Sequence, residues 1–245
     1  MMDEALLSEI AAEIKAAPRI AFLGGAGVST ASGIPDFRSP EGLYRIKSEY
    51  GVSYEEMLSA SYFFSHTEDF YSFYWDKMVY PSAKPNLAHV SLAKIGKKKR
   101  LPIITQNIDG LHQKAGASIV YELHGTTASY HCLDCGKKLT LEQIEHHGVP
   151  HCPDCGGLVK PDVTLYGEML DEDTLLSAGN EVAYCSFLII GGTSMKVYPA
   201  AGLPDYILSG KKLIINLEPT PYDERCDYVL HEDLGKALSR IEELL

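Results

Sequence analysis

Six short apolar runs, each ending in glycine or polar residues, constrain the fold of this 245-residue chain more than any other feature. They lie at 19–23, 101–105, 119–122, 187–190, 213–215 and 227–230. A strand with one wet face alternates apolar and polar residues, whereas a strand covered on both faces is apolar throughout. Helical stretches separate the runs, so the pattern predicts an α/β fold, a parallel sheet with helices on both faces. Residues 4–17 provide one such helix. Ala5, Leu6, Ile10, Ala11, Ile14 and Ala17 recur at helical spacing with acids between them, and Pro18 ends it. In such sheets ligands bind beyond the carboxyl ends of the strands. That rule collects Gly25, Gln106, Asn107, Asp109, His124, Ser194 and Asn216 at one rim.

The length and an apolar content of 45% allow one full core with an insert. No apolar run approaches the ~18 residues of a membrane span. The N-terminus carries Asp3, Glu4, Glu9 and Glu13 where a secretory signal would be basic and then apolar, so a cytoplasmic protein is expected. The net charge of −11 argues against direct nucleic-acid binding and suits a basic partner such as a Lys-rich peptide. The cluster at 97–100 (Lys-Lys-Lys-Arg) reads as a solvated helix end.

Residues 130–157 break the sheet pattern and are rich in Cys, His, Asp and Gly. Cys132-x-x-Cys135 and Cys152-x-x-Cys155 are separated by 16 residues. This is zinc-ribbon spacing, in which two turns aim four thiolates at one point with bonds of about 2.3 Å. Four thiolates close the coordination shell, so the expected zinc is structural. A redox dithiol pair is the alternative; the flanking Gly136, Gly156 and Gly157 favour metal. Cys185 and Cys226 sit beside expected strands and read as inert core thiols.

Residues 24–27 (Gly-Gly-Ala-Gly) follow the first apolar run, where a phosphate-cradling turn belongs. Thr30 replaces the third glycine of a G-x-G-x-x-G motif, and the usual acid about 20 residues on is not evident. Asn216 and Glu218 are better placed to hold a ribose. The residues alone point to a dinucleotide site whose chemistry differs from that of a simple dehydrogenase.

Six motifs then occur in order: Gly25-Ala-Gly-Val-Ser-Thr-Ala-Ser-Gly-Ile-Pro-Asp-Phe-Arg38, Thr105-Gln-Asn-Ile-Asp-Gly-Leu-His112, Glu122-Leu-His-Gly125, Lys160-Pro-Asp-Val-Thr-Leu-Tyr-Gly-Glu168, Gly192-Thr-Ser194 and Asn216-Leu-Glu-Pro-Thr-Pro221. With the four cysteines, their order and spacing resemble the sirtuin family from about residue 15 onward. The resemblance implies a Rossmann-like domain (1–35, 86–125 and 160–245), a helical insertion with a cofactor loop (36–85) and a zinc-ribbon module (126–159). It implies NAD-dependent removal of acetyl groups from protein lysines, yielding nicotinamide and O-acetyl-ADP-ribose. It also implies one structural zinc, an acetyl-lysine peptide as partner, and a monomer. His124 would be the general base, with Asn107 and Asp109 arranging ribose and nicotinamide. The cofactor contacts would be Gly25, Ala26, Thr30, Asp36, Phe37, Arg38, Gln106, Ile108, Thr193, Ser194, Asn216, Glu218 and Asp233. The peptide would add a strand between Gly167-Glu168 and the stretch from Met195 to Val197, with Thr164 and Tyr166 at the acyl-lysine passage.

Three departures stand out: Thr164-Leu-Tyr166 in place of Val-Phe-Phe, a basic Lys196 at the peptide site, and Cys226 near the adenosine end. Family members that remove acidic acyl groups carry a Tyr-x-x-Arg pair. Here Tyr71 is followed by Tyr74, and Lys77 is expected on another helical face, so neutral acyl groups are expected. The competing readings are an ADP-ribosyltransferase or other acyl hydrolase on the same scaffold, and a non-catalytic zinc-ribbon docking module. Metal analysis is expected to find one zinc per chain, because structural zinc contributes directly to folding. Folded, active protein free of zinc contradicts this.

Overall fold

The computed structural model describes residues 3–37 and 51–245. In chain order its helices are α1 (Glu4–Ala16), α2 (Tyr54–Met57), α3 (Ala60–Ser65), α4 (Thr67–Lys77), α5 (Leu87–Lys98), α6 (Leu111–Lys114), α7 (Glu172–Ala183) and α8 (Leu234–Leu244). The strands are β1 (Ile20–Gly24), β2 (Ile103–Thr105), β3 (Val120–Glu122), β4 (Gly125–Cys132), β5 (Lys138–Thr140), β6 (Val159–Val163), β7 (Phe187–Gly191), β8 (Lys211–Ile215) and β9 (Tyr228–Leu230). All six apolar runs are strands of one parallel sheet with order β3-β2-β1-β7-β8-β9.

The two faces of that sheet explain why its strands are apolar throughout. Phe22, Ile103, Ile189, Leu213 and Ile215 pack on one side against α1, α5 and α8, through residues such as Leu7, Ile14, Leu92 and Leu238. Ala21, Leu23, Ile104, Leu188, Ile190 and Ile214 pack on the other against Ala178, Val182 and Leu203. Successive residues of a strand point to opposite faces, so both must be apolar when both are covered. Cys185 is buried in this second core, as expected.

The basic cluster closes α5 at the exposed surface and has partners elsewhere in the fold. Lys98 pairs with Glu242 at 2.7 Å, and Arg100 holds Glu181 through two nitrogens. Lys99 Nζ donates to the carbonyls of Ile14 and Lys15, the unsatisfied C-terminal acceptors of α1. The cluster is the solvated helix end expected, and its cations also face an open helix end and acids that are distant in sequence.

A second, antiparallel sheet has the order β5-β4-β6. Its buried face shares one core with the helices between residues 54 and 77, where Tyr71, Tyr74, Tyr130 and Phe70 are fully buried. The Tyr71 hydroxyl donates to the Val159 carbonyl, and the Tyr74 and Tyr130 hydroxyls lie 3.4 Å apart.

The small sheet leaves the large one at Gly125, whose φ is +75°. A Cβ there would lie 2.0 Å from the Asp162 carbonyl oxygen. Gly125→Ala therefore meets immovable backbone as well as left-handed strain, and a loss above about 4 kcal/mol is expected. Gly116 (φ +93°) has open space around it. Gly116→Ala should cost only about 1–2 kcal/mol. Denaturant unfolding of both variants checks the contrast, and equal losses would contradict it.

Candidate functional site

The carboxyl ends of β1, β2, β7 and β8 open into one cavity of about 1080 Å³, which also reaches the insertion helices. That is at the large end of small-molecule sites, with room for a dinucleotide and a second side chain. The sheet order reverses direction between β1 and β7, the usual position of such a crevice.

At the end of β1 the glycine turn is pressed against the turn after β7. Gly27 N–H donates to the Gly192 carbonyl at 2.9 Å, and a Cβ on Gly27 would lie 2.9 Å from Gly192 Cα. Gly25, Ala26 and Thr30 line the cavity there, followed by Asp36 and Phe37. Arg38 lies outside the described residues. Thr193, Ser194, Asn216, Glu218 and Asp233 form the far end. The donor set fits NAD: hydroxyl and backbone N–H donors are present that could bind phosphates, and carboxylates at the far end could accept from ribose hydroxyls. Asp233 is partly committed, because its carboxylate caps α8 by accepting from Lys236 N–H at 2.8 Å. Asn216 Nδ2 is bound to the Glu218 carbonyl at 2.7 Å.

Gln106, Asn107, Ile108 and Asp109 follow β2 and line the centre with His124. His124 Nδ1 lies 2.9 Å from the Gln106 carbonyl, which can only accept. The ring therefore carries its proton on Nδ1, and the Nε2 lone pair is free. Burial holds the imidazole below its ordinary value of 6.5, opposed by the hydrogen bond to Gln106. It is thus neutral at neutral pH, the form a base requires.

Beneath this centre Ser29 is 1% exposed and acts as a hub. Its hydroxyl donates to Asp109 Oδ2 at 2.7 Å and accepts from Asn107 Nδ2 at 3.0 Å. His89 Nε2 lies 3.5 Å from the same oxygen, while His89 Nδ1 accepts from Asn86 N–H at 3.3 Å. With its Nδ1 accepting, the ring carries its proton on Nε2 and donates to Ser29. The sequence reading missed Ser29, His89 and His112, although Ser29 lies inside the glycine motif.

The peptide-side residues Thr164, Tyr166, Gly167, Glu168 and Val197 line the cavity. Met195 does not. Its side chain is 6% exposed in the core beside Leu203 and Ala200, and its φ of +54° turns the chain. The passage beyond His124 is largely apolar, with Leu58, Ile108, Val163 and Leu165 in its wall. Tyr71 and Tyr74 are absent from that wall because both are consumed by the second core. Lys77, expected on another face, does line the cavity, and it pairs with Asp76 at 2.8 Å.

The four predicted cysteine ligands converge, with all four Sγ atoms within 4.8 Å of one another. Separations of 3.4 Å for Cys132–Cys155 and 3.8 Å for Cys135–Cys152 match a tetrahedron with bonds of about 2.3 Å, whose edge is about 3.8 Å. The donor set therefore fits zinc and leaves no open position.

A Sir2 family model matches residues 25–199. An NAD-dependent protein deacetylase of Clostridium tetani is 52% identical over 235 residues, covering 95% of this chain and 95% of that protein. One of Clostridium acetobutylicum is 47% identical over 238 residues, covering 96% and 97%. A solved Sir2 histidine-to-alanine variant with deacetylated peptide and 3'-O-acetyl ADP-ribose has a TM-score of 0.87 at 38% identity, covering 97% of each chain. The chain belongs to the Sir2 family.

Burial pushes the His89 imidazole down to about 4 against the pull of Asp109, and burial with His89 close by pushes His112 down to about 3. Neither ring nitrogen of His112 has a hydrogen-bond partner among the described residues. Both folded values lie below the unfolded value of 6.5, so unfolding takes up protons as pH falls. This stability is present above pH 6.5 and is lost as pH drops toward about 4, costing each group about 2 kcal/mol between about pH 7 and pH 5. His112→Phe is expected to reduce that loss. Unfolding curves at the two pH values check it; an unchanged pH slope contradicts the assignment.

Proposed function

We propose that this protein is an NAD-dependent deacetylase of protein lysine side chains, releasing nicotinamide and forming O-acetyl-ADP-ribose. The observation that carries this reading is His124: a neutral imidazole with a free Nε2, fixed through Nδ1, in the same cavity as the glycine turn and an apolar side-chain passage. The deacetylases of the two Clostridium species and the solved Sir2 complexes support it. So does a Sir2 complex with an acetylated peptide, 36% identical with a TM-score of 0.85.

NAD, when bound, supplies a ribose carbon that nicotinamide leaves and an acyl oxygen can reach. The chain's own residues do the rest. His124 Nε2 takes a proton from a ribose hydroxyl, which then receives the acyl group. Ser29 holds Asn107 and Asp109 in one arrangement toward ribose and nicotinamide. Phe37 covers the reacting carbon against water. Gly25, Ala26, Thr30, Asp36, Arg38, Gln106, Ile108, Thr193, Ser194, Asn216, Glu218 and Asp233 hold the cofactor. The peptide pairs with the backbone of Gly167-Glu168 on one side and of Met195 to Val197 on the other.

The Leu58, Val163 and Leu165 wall suits acetyl and other neutral acyl groups, since an unpaired carboxylate there is costly. Lys77 lines the cavity, and it already pairs with Asp76. The working division is a Rossmann-like domain (1–35, 86–125 and 160–245), a helical insertion (36–85) and a zinc ribbon (126–159). We read the protein as a cytoplasmic monomer without nucleic-acid contacts. Among the described residues no helix is long and apolar enough to cross a membrane.

The test is nicotinamide release from NAD with and without an acetylated peptide. Release is expected only with the acetylated form. Release without it, with ADP-ribose joined to protein, points instead to ADP-ribosyl transfer. His124→Ala should lower deacetylation by roughly 10²–10⁴ while NAD still binds. Asp109→Ala and Asn107→Ala should slow nicotinamide release itself. Wild-type deacetylation by His124→Ala would remove the assigned base.

A further inference from the structure

The six residues from Val163 to Glu168 all line the cavity, and the five beyond the end of β6, Thr164 to Glu168, form a loop outside any helix or strand. Such a loop needs external fixing to present one wall. Three backbone bonds tie it to neighbouring segments. Thr164 N–H donates to the His124 carbonyl at 2.9 Å. Tyr166 donates to the Leu58 carbonyl and accepts from Ala60 N–H, both at 2.9 Å, joining the loop to the α2–α3 junction. These secure its first half and its middle. The far end, past Gly167 with φ +90°, has a local backbone bond from Glu168 N–H to the Leu165 carbonyl at 2.9 Å and, beyond it, a side-chain tie.

Lys160 has a side chain only 8% exposed. Its ammonium donates to Glu168 Oε2 at 3.1 Å, to the Val163 carbonyl at 3.1 Å and to the Pro161 carbonyl at 3.4 Å. Three donors thus meet three oxygens, which satisfies the buried charge. The same Glu168 oxygen accepts from Leu165 N–H at 2.8 Å. One cation and one carboxylate therefore tie residues 161, 163, 165 and 168 into a single closed turn. A buried ion pair is a weak source of stability compared with an apolar pair of similar volume. What it fixes is direction, because its hydrogen bonds allow one arrangement of the turn.

Lys160 is not on the cavity wall. We infer that Lys160 is a positioning residue for the acyl-lysine substrate: through Glu168 it sets the wall formed by Leu165, Tyr166 and Gly167 and so governs peptide affinity. This rests on the deacetylase reading. The residues proposed to hold NAD, from the glycine turn to Asp233, lie outside this loop, so NAD affinity should be insensitive to Lys160.

The experiment measures peptide KM, kcat at saturating peptide and the Kd for NAD in wild type, Lys160→Met, Lys160→Arg and Glu168→Gln. Lys160→Met is expected to raise peptide KM about tenfold or more while kcat and NAD affinity move less than about threefold. Lys160→Arg should restore KM to within about threefold, since guanidinium offers donors to the same oxygens. Glu168→Gln keeps an acceptor for Leu165 N–H but loses the charge, so its KM should fall between.

Folded Lys160→Met with wild-type peptide KM overturns the inference. So does an equal loss of kcat and NAD affinity, which would mark general structural support. If Lys160→Met fails to fold, Glu168→Gln decides: unchanged KM overturns the inference and raised KM with unchanged NAD affinity upholds it. A wild type inactive on acetylated peptide defeats the functional reading and this inference together. An active wild type with unmoved variants defeats the inference alone.

Discussion

The site exists because two backbone turns touch. At the ends of β1 and β7, Gly27 and Gly192 approach so closely that a Cβ on either would collide with the other's main chain. Only glycine permits that contact, which brings the two main chains together at the rim between the strands. The parallel sheet places both turns at the same edge, and the reversal of strand order gives the crevice its opening. The glycine turn, the segment after β2 and His124 then face one space without further arrangement.

The second core depends on a different device. Tyr71, Tyr74 and Tyr130 belong to the insertion helices and to the ribbon sheet, and all three are fully buried together. Burial of this size stabilises strongly, but phenol hydroxyls must be partnered when dry. The Val159 carbonyl and the mutual approach of Tyr74 and Tyr130 supply the partners. The insertion and the ribbon thus fold against each other as one body, and the cysteine cluster lies at its margin.

Much of this was legible in the sequence, for physical reasons. A strand buried on both faces has to be apolar, so all six strands of the large sheet could be read. Four thiolates with ribbon spacing admit few other arrangements, and the four cysteines do converge. What escaped was long-range partnering. Ser29 lies in a recognisable motif, but only the fold sets it against Asn107, Asp109 and His89. Tyr71 and Tyr74 occur at a spacing that suits a tunnel as well as a core, and periodicity cannot separate these. Met195 belongs to a segment read as a backbone edge, and only the fold shows that its side chain turns into the core. Lys98, Lys99 and Arg100 do form a solvated helix end, but their partners Glu242, Ile14 and Glu181 are distant in sequence and could not be read.

One strand joins the two halves of the molecule. β4 begins at Gly125, immediately after His124, and ends at Cys132, a member of the cysteine cluster. Its eight residues span roughly 26 Å, and pairing with β6 lapses between Gly125 and Tyr130. The strand is therefore a lever whose outer end is clamped and whose inner end aims the imidazole. Stripping the ion would unclamp the lever and disturb the base from a distance. Chelator inhibition of this enzyme would then report lost alignment, and it should not be mistaken for a metal that takes part in bond making.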